Sequence, residues 1–428
     1  MEQVHDYIGI GFGPSNLALA IAADEQAAER QPRGCFIERK PAFSWHEGML
    51  LEGSTMQISF LKDLATLRNP ASRFTFINYL KERGRLEDFI NLKTFFPSRE
   101  EYNDYLGWAA AAFAEQVHYG EEVVAVEPWY RDGSLAAVQV VSRDQQGTLQ
   151  RRLGRNLILG IGGTPQVPPA FAGLSDPRVL HSSTYRGRIE ALLADPAQPR
   201  RVAVIGGGQS AAEIFQDLTQ RFPQVEASLI LRGGALKPSD DSPFVNEIFN
   251  PSFTDRIYAQ SPERRERLFA EYRNTNYSVV DLELIENLYQ LFYLQKLRGH
   301  ERHRLLCERD VVTCLPSAQG LELELEGRLD GSRTTLGYDV VILATGYRRD
   351  YHQHLLAGLR EHLQDGEPDR HYRLPLAAGG AVQVFLQGGC EVSHGLSDTL
   401  LSVLAIRSAE LVKAMTLASA PPVAMRSA

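Results

Sequence analysis

The chain contains two glycine-rich turns, Asp6-Tyr7-Ile8-Gly9-Ile10-Gly11-Phe12-Gly13-Pro14-Ser15-Asn16 and, far along the sequence, Val202-Ala203-Val204-Ile205-Gly206-Gly207-Gly208-Gln209-Ser210-Ala211-Ala212-Glu213. Each follows a short β-branched apolar run and opens a helical pattern, which is the context that a dinucleotide-binding fingerprint requires. One such motif alone would be a weak signal. Two in one chain predict an α/β fold with two Rossmann-like domains that bind a flavin and a nicotinamide dinucleotide.

The glycines of each turn have a physical purpose. We expect Gly9 and Gly206 to permit the tight turn from strand to helix. Gly11 and Gly208 would let the backbone approach a pyrophosphate. The helix that follows offers unpaired N–H groups and the positive end of its dipole to the phosphates.

The strand after each turn distinguishes the two cofactors. Glu38 ends one apolar run, and a carboxylate there accepts hydrogen bonds from a ribose diol and repels a 2′-phosphate, so the first half suits FAD. Arg232 ends the other run, and its guanidinium fork pairs with a 2′-phosphate, so the second half suits NADPH rather than NADH. The alternative is that both are ordinary solvated charges at strand ends.

Composition limits the class of protein. With 428 residues the chain is long enough for two or three domains with ample core. The net charge of −8 argues against nucleic acid as a partner. Glu2 and Asp6 lead straight into the first strand, and no apolar stretch approaches the roughly 20 residues of a membrane span. We therefore expect no signal peptide, no transmembrane segment and a cytoplasmic location.

Cysteine and histidine usage argues against two further kinds of site. The four cysteines form no Cys-x-x-Cys pair, which argues against a disulfide framework and against a dithiol reductase. Histidine pairs such as His300/His303 and His352/His354 lack an acidic partner at ligand spacing. We therefore expect these histidines at the surface, and no metal site.

The order of the motifs predicts a nested organisation, in which the nicotinamide domain is inserted into the flavin domain. A strand ending in the Thr345-Gly346 turn would return the chain to the flavin domain. The predicted segments are 1–185 (FAD-binding domain, first part), 186–235 (NADPH-binding domain, first part), 236–300 (small helical substrate-binding insertion), 301–346 (NADPH-binding domain, second part), 347–415 (FAD-binding domain, C-terminal part) and 416–428 (disordered tail).

Capping residues predict two helix starts. The run Pro97-Ser98-Arg99-Glu100-Glu101 is typical of a capping box. Near the carboxyl end, Ser397 or Asp398 can cap a helix whose apolar stripe includes Leu400 and Leu404. Such a helix could point the positive end of its dipole at the pyrimidine side of a flavin. The alternative is a capped core helix without cofactor contact.

Six blocks of the sequence match one known family of flavoproteins. They are Gly9-Ile10-Gly11-Phe12-Gly13-Pro14-Ser15-Asn16-Leu17, Phe43-Ser44-Trp45-His46-Glu47-Gly48-Met49, Met56-Gln57-Ile58-Ser59-Phe60-Leu61-Lys62-Asp63-Leu64, Leu236-Lys237-Pro238-Ser239-Asp240-Asp241-Ser242-Pro243-Phe244-Val245-Asn246-Glu247, Thr275-Asn276-Tyr277-Ser278-Val279-Val280 and His394-Gly395-Leu396-Ser397-Asp398-Thr399-Leu400-Leu401-Ser402. Over nearly its whole length the chain resembles the flavin-dependent N-hydroxylating monooxygenases of siderophore biosynthesis, specifically the L-ornithine N-monooxygenases. The Gly-x-Gly-x-x-Pro form of the first turn is itself typical of this family.

The resemblance implies an enzyme that binds FAD and NADPH and acts on L-ornithine and O2. In this family NADPH reduces the FAD, oxygen adds to give a flavin hydroperoxide, and the substrate's terminal amine attacks the distal oxygen. The product, N-hydroxyornithine, is a precursor of the hydroxamate siderophores used in iron acquisition. The cofactor carries the redox chemistry, and the protein positions and tunes it.

The resemblance, together with the two turns, also assigns roles to single residues. The FAD contacts would be Gly9, Gly11, Gly13, Pro14, Glu38, Trp45, His46, Met56, Gln57, His394 and Leu400. The NADPH contacts would be Gly206, Gly208, Gln209, Ser210, Arg232 and Asn276. The contacts to L-ornithine would be Lys62, Gln57, Asn246, Asn276 and Ser402. Asn276 would lie where flavin, nicotinamide and substrate meet, and it is the candidate catalytic residue.

These residue types suit an amine substrate. An alkylamine has a pKa of about 10.4 and only its neutral form is nucleophilic, so deprotonation at pH 7 costs about 4.6 kcal/mol. A carboxylate beside the amine would increase this cost by stabilising the ammonium, whereas an asparagine carries no charge. Lys62 would supply a cation for the carboxylate of the amino acid. Without the resemblance, a solvated loop lysine would be the favoured interpretation.

Two alternative functions stay open at the level of sequence. One methylene in a pocket is worth only about 1–3 kcal/mol, so the enzyme could hydroxylate L-lysine or another amine instead. From a different class, the chain could be a catalytically silent flavin-binding redox sensor, although the second nucleotide motif and the intact substrate blocks argue against it. The residues leave the oligomeric state open, a homo-oligomer included.

Overall fold

The computed structural model describes residues 3–26, 32–377 and 382–419, which form an α/β fold. Its strands are β1 (Val4–Ile10), β2 (Gly34–Glu38), β3 (Val117–Tyr119), β4 (Glu122–Arg131), β5 (Ser134–Arg143), β6 (Leu149–Leu159), β7 (Thr164–Pro165), β8 (Val179–His181), β9 (Arg200–Ile205), β10 (Val225–Ile230), β11 (Arg304–Leu306), β12 (Arg309–Ser317), β13 (Gly320–Gly327), β14 (Arg333–Tyr338), β15 (Val340–Leu343), β16 (Tyr347–Arg348) and β17 (Gln383–Leu386). Its helices are α1 (Pro14–Asp24), α2 (Phe76–Glu82), α3 (Leu86–Leu92), α4 (Arg99–Ala111), α5 (Tyr185–Leu192), α6 (Gln209–Arg221), α7 (Pro251–Tyr258), α8 (Pro262–Tyr272), α9 (Leu282–Leu297), α10 (Tyr351–Leu355), α11 (Glu391–His394) and α12 (Leu404–Ser419).

The first sheet carries the first glycine-rich turn at the end of β1. Its strand order is β3-β2-β1-β6-β5-β4, and β17 also pairs with β6. β1 runs parallel to β2 and β6, and β17 comes from the carboxyl-terminal part of the chain to lie parallel to β6. α1 packs against α12 beside this sheet. We call the first sheet with α1–α4 and α12 the first unit.

The second sheet is parallel throughout and carries the second turn at the end of β9. Its strand order is β11-β10-β9-β15-β8. We call this sheet with α5 and α6 the second unit. Helices α7, α8 and α9 come between β10 and β11, where the sequence predicts helices at 236–300, and we call that segment the helical insertion. The antiparallel sheet β12-β13-β14 and the β4–β5 hairpin are additional to the elements predicted from the sequence.

Two short crossings join the units. β7 leads into the second unit and β16 leads out of it, and the two strands pair antiparallel. Beside them, the Gln166 N–H donates to the Gly346 carbonyl at 2.9 Å. The boundary predicted at 185/186 lies too far along the chain, because β8 already pairs with β15 of the second sheet.

The helix predicted from the capping box is confirmed as α4. Ser98 is its N-cap, and Ser98 Oγ accepts a hydrogen bond from the Glu101 N–H at 3.1 Å. One face of α4 buries Tyr102 and Tyr105 among the aromatic rings of the first unit. Each such ring contributes about 1.5–3 kcal/mol by leaving water. Arg99, the first residue of α4, donates to a side chain of the second unit.

The helix cap predicted near the carboxyl end is wrong. The Asp398 carboxylate accepts from the Cys390 N–H at 2.6 Å and pairs with Arg407 at 3.0 Å, and both charged side chains are at most 1% exposed. Residues 396–403 form two short 3₁₀ helices, and α12 begins only at Leu404. Asp398 is therefore the counter-ion of a buried guanidinium and not a helix cap.

The carboxyl-terminal helix is also longer than predicted. α12 continues to Ser419, so the disordered tail predicted at 416–428 is wrong in its first residues. Residues 420–428 lie outside the described ranges. Within those ranges, every helix is too short or too polar to cross a bilayer.

Candidate functional site

The first turn requires glycine at Gly11. This residue has φ +81°, and a Cβ there would lie 2.6 Å from the Gly160 carbonyl oxygen. Gly9 differs from the expectation, because it lies inside β1 and a Cβ on it would lie 2.3 Å from the Phe36 ring. Gly11 therefore makes the tight turn, and Gly9 allows close packing against the neighbouring strand.

α1 begins at this turn as the sequence predicts. Gly13 is its N-cap and Pro14 its first residue, where a missing N–H leaves no bond unmade. A Cβ on Gly13 would have no described protein atom within 4 Å. The space beside Gly13, at the positive dipole end of α1, is therefore open to a phosphate.

Glu38 lies beside the same turn at the end of β2. Its carboxylate accepts from the Phe12 N–H at 2.7 Å and from the Lys40 N–H at 2.9 Å. A carboxylate has about four lone-pair sites, so the two remaining ones can accept from ribose hydroxyls. The position and the residue type agree with a ribose-binding role.

The second turn repeats this arrangement at α6. Gly206 has φ +150°, and a Cβ there would lie 2.3 Å from the Ala344 carbonyl oxygen. Gly208 is the N-cap of α6, and Ser210 lies in the first turn of that helix. The backbone of Ser278 is the nearest neighbour of a Cβ on Gly208, at 3.6 Å, so this turn faces the helical insertion.

Arg232 lies beside the second turn. It follows β10, which ends two residues earlier than predicted, at Ile230. The preceding residue, Leu231, would contact a Cβ on Gly207 at 3.4 Å. The Arg232 side chain is exposed and makes no hydrogen bond or ion pair with a described residue, so its guanidinium is free to bind an anion.

Cations surround the region near His46. The His46 side chain is accessible to solvent, although protein atoms surround much of its ring. This desolvation, together with the charges of Arg99, Lys40 and Arg349, lowers the pKa of His46 to about 4. The ring is therefore neutral at pH 7. Trp45 contacts it edge to face, with ring centroids 4.7 Å apart. Lys40 and Arg99 are ion-paired with Glu47 and Glu213, so the two aromatic rings are what this region offers to a bound cofactor.

Lys62 is a half-buried cation without a counter-ion among the described residues. Burial lowers the pKa of its ammonium group. The adjacent carboxylate of Asp63 is used elsewhere, because it accepts from the N–H groups of Phe76 at 2.7 Å and Thr66 at 2.6 Å. An ammonium in this setting is ready to bind a carboxylate.

Two asparagines of the helical insertion offer uncharged amide groups. Asn246 Nδ2 donates to the Asp241 carbonyl at 2.7 Å, which leaves its amide oxygen as an acceptor. Asn276 is half-buried, and its side chain makes no hydrogen bond within the described ranges. The next residue, Tyr277, donates its hydroxyl to Glu391 Oε1 at 2.5 Å and so links the insertion to α11.

Ser402 lies just before α12 and is 2% exposed. Its hydroxyl makes no hydrogen bond to any described residue. A buried polar group without a partner costs about 1–3 kcal/mol, so a bound polar ligand beside it would be stabilised. The 3₁₀ helix Leu396–Thr399 packs against the 3₁₀ helix Val245–Phe249, which carries Asn246, and the next residue along the chain, Leu400, is half-buried.

Two predicted flavin contacts are buried in the core. His394 is fully buried, stacks on Tyr372 with centroids 4.1 Å apart and bonds to Ser393 Oγ at 2.8 Å. A ring with no accessible surface and satisfied nitrogens argues against the predicted contact with FAD. Met56 is only 6% exposed and packs in the core of the first unit.

Gln57 and Gln209, two further predicted contacts, bond to protein side chains. Gln57 Nε2 donates to Asp281 Oδ1 at 2.9 Å. Gln209 Nε2 donates to Asp281 Oδ2 and to Glu213 Oε1, both at 2.8 Å. Arg99 completes this network with two bonds to Glu213, at 2.6 and 2.7 Å. The sequence alone does not indicate the roles of Arg99, Glu213 and Asp281, because residues so far apart in the chain share no local pattern.

Comparison with known proteins gives one consistent result. The chain matches the family model for L-lysine 6-monooxygenase/L-ornithine 5-monooxygenase over residues 3–349. It is similar to an L-ornithine N(5)-monooxygenase of Burkholderia cepacia, with 53% identity over 401 residues that cover 92% of this chain and 90% of the relative.

Solved structures of similar proteins have the same fold. The ornithine hydroxylase PvdA from Pseudomonas aeruginosa superposes with a TM-score of 0.94 at 48% identity, covering 98% of this chain and 100% of that chain. The ornithine N-hydroxylase KtzI of Kutzneria sp. 744, solved with reduced FAD, NADP+ and L-ornithine, superposes with a TM-score of 0.92 at 39% identity and the same coverage. The resemblance predicted from the six blocks is confirmed, and this chain belongs to the L-lysine 6-monooxygenase/L-ornithine 5-monooxygenase family.

Proposed function

We propose that this protein is an FAD- and NADPH-dependent L-ornithine N5-monooxygenase of hydroxamate siderophore biosynthesis. It transfers one oxygen atom of O2 to the side-chain amine of L-ornithine. Relatives at 48–53% identity are named for this activity. The observation in this chain that best supports it is the half-buried ammonium of Lys62, which has no counter-ion among the described residues and suits the carboxylate of an amino acid.

The two turns fit the two cofactors. Gly13 and Glu38 would hold the pyrophosphate and a ribose of FAD at the N-terminus of α1. Gly208 and Arg232 would hold the corresponding groups of NADPH at α6. When bound, the flavin accepts electrons from NADPH and activates O2 for transfer to the amine.

The same assignment divides the chain by function. The first unit would bind FAD, and the second unit would bind NADPH. The helical insertion at 236–300 would contribute Asn246 and Asn276 to the substrate site. This division is supported by the presence of one glycine-rich turn in each unit and by the contact between Gly208 and the insertion at Ser278.

The side chains assigned to the substrate favour a neutral amine. Lys62 would pair with the carboxylate of L-ornithine and fix one end of the substrate. The amides of Asn246 and Asn276 can accept from the amine without bringing a negative charge, so they do not stabilise the unreactive ammonium. Ser402 would gain the hydrogen-bond partner that its buried hydroxyl lacks among the described residues.

The decisive experiment supplies the purified protein with FAD, NADPH, O2 and either L-ornithine or L-lysine. Mass spectrometry should detect a product heavier by one oxygen atom from L-ornithine, at a higher rate than from L-lysine. Preferred hydroxylation of L-lysine would reassign the substrate. NADPH oxidation without any hydroxylated amine would contradict the proposed function.

Arg232→Ala should weaken the use of NADPH far more than the use of NADH. Arg232 follows β10, its guanidinium has no partner among the described residues, and an ion pair with the 2′-phosphate contributes about 1.5–3 kcal/mol, so the Michaelis constant for NADPH should rise about tenfold or more. NADH lacks that phosphate and serves as the internal control. Equal changes for both cofactors would exclude Arg232 from this role.

A further inference from the structure

The side-chain network around Gln209 links all three parts of the molecule at one helix end. Arg99 begins α4 of the first unit, and Asp281 is the N-cap of α9 in the helical insertion. Gln209 and Glu213 lie on the first turns of α6 in the second unit. Because the N-terminus of α6 is the proposed NADPH phosphate site, this network determines where that site lies relative to the first unit.

The Arg99–Glu213 ion pair is the strongest contact of the network. It is bidentate, with N–O distances of 2.6 and 2.7 Å, and the two side chains are only 12% and 8% exposed. Removing one partner of an enclosed pair is strongly destabilising, because the other charge stays buried without compensation. The planar guanidinium also accepts few carboxylate orientations, so the pair fixes geometry as well as distance.

Gln209 uses its whole amide group within the network. Its Oε1 accepts from the Asp281 N–H at 2.8 Å, while its Nε2 donates to both Asp281 and Glu213. The Gln209 side chain thus binds the start of α9 and also orients the Glu213 carboxylate, which pairs with Arg99. Gln57, which lies between β2 and α2, donates to the Oδ1 atom of Asp281 and so adds another attachment.

We propose that Arg99, Glu213 and Gln209 are positioning residues that hold the second unit in the orientation required for reduction of FAD by NADPH. In that step a hydride carries two electrons from NADPH to FAD, which oxidises the nicotinamide and reduces the flavin. Displacement of reacting groups by about 1 Å can slow such a step 100-fold. The crossings β7 and β16 join the units covalently, and the network supplies a separate attachment at the nucleotide-binding end of α6. This inference rests on the proposed function.

The test uses the variants Arg99→Lys and Glu213→Gln, which keep the size of each side chain but lose the bidentate ion pair. Each should slow anaerobic flavin reduction at saturating NADPH by about 10- to 100-fold, as monitored by stopped-flow absorbance. The dissociation constant of NADPH should change much less than this rate. The double variant should be little worse than either single variant, because both remove the same contact.

A matched control is the ion pair between Arg152 and Glu121, which lies entirely within the first unit. It has the same bidentate geometry, with distances of 2.7 and 3.0 Å, and side chains that are 15% and 13% exposed. Arg152→Lys should lower the thermal midpoint of unfolding without changing the rate of reduction per bound flavin. If Arg152→Lys slowed flavin reduction as much as Arg99→Lys does, the Arg99 effect would be explained by general destabilisation. That result would overturn the proposal.

Amide hydrogen exchange provides a second readout that does not depend on turnover. In protein loaded with FAD and NADP+, Arg99→Lys should speed exchange at the first turns of α6 and α9, and Arg152→Lys should not. Unchanged exchange together with an unchanged reduction rate would overturn the positioning role. Flavin reduction needs no amine, so wild-type protein that reduces its flavin yet fails to hydroxylate L-ornithine would contradict the proposed function and leave this test valid.

Discussion

Replacing Lys62 with alanine should raise the Michaelis constant for L-ornithine by about 10- to 100-fold, since hydrogen bonds between charged groups contribute about 1.5–3 kcal/mol. The ammonium is half-buried and has no counter-ion in the described ranges, so the substrate carboxylate would be its main partner. Flavin reduction by NADPH should stay close to the wild-type rate, because that step does not involve the substrate carboxylate. Steady-state kinetics and anaerobic stopped-flow measure the two quantities.

A substrate without a carboxylate gives the sharpest control for this prediction. 1,4-Diaminobutane has the same chain and amine as L-ornithine, so wild-type protein and Lys62→Ala should use it with similar, low efficiency. A second control is Lys93→Ala, which removes an exposed lysine of the same unit and should leave both kinetic constants unchanged. If Lys62→Ala slowed flavin reduction as much as hydroxylation, Lys62 would belong to the cofactor site instead.

The elements that depend on near neighbours in the sequence were predicted correctly. β2 ends at Glu38, α1 begins at Pro14 and α4 follows its cap at Ser98. Each of these boundaries is set by residues within one turn or one strand, such as a glycine that makes a turn or a serine that accepts from a helix N–H. Local physics is sufficient for them, and the α/β class with two dinucleotide units follows from their order.

The errors arose where a distant partner decides the conformation. Asp398 is a suitable helix cap by residue type, but the buried guanidinium of Arg407 takes its carboxylate. A cap contributes about 1 kcal/mol, whereas leaving a buried charge unpaired costs several, so the ion pair prevails. Arg99 likewise finds Glu213 at a separation of 114 residues, which no local pattern reveals.

The residues of the candidate site show the same difference between local sequence patterns and contacts with distant residues. Residue types alone indicated Glu38 and Arg232, and the structure leaves both next to their turns. The family resemblance was needed for Lys62, and it also suggested His394, whose stacking on Tyr372 leaves it no accessible surface. A resemblance transfers a residue's identity, but only the packing shows whether its side chain is free to bind.

Asn276 should control the protonation state of the substrate amine. It is half-buried, makes no side-chain hydrogen bond among the described residues, and precedes Tyr277 and Ser278, which contact α11 and the second turn. Asn276→Asp changes little but the charge. A carboxylate within about 4–6 Å of the amine raises the amine's pKa by roughly one to three units, so the neutral fraction at pH 7 falls by about tenfold or more.

The expected result for Asn276→Asp is therefore slow hydroxylation at pH 7 that recovers as the pH rises. Asn276→Ala adds no charge, so its pH profile should match that of the wild type. It should instead lower the amount of hydroxylated L-ornithine formed per NADPH consumed, because the amine loses a hydrogen bond that orients it. Asn274→Asp places the same carboxylate at an exposed position of the 3₁₀ helix Arg273–Thr275, which Asn276 follows, and it should change neither quantity. If Asn276→Asp kept the wild-type rate and pH profile, and Asn276→Ala kept the wild-type coupling, Asn276 would not lie beside the reacting amine.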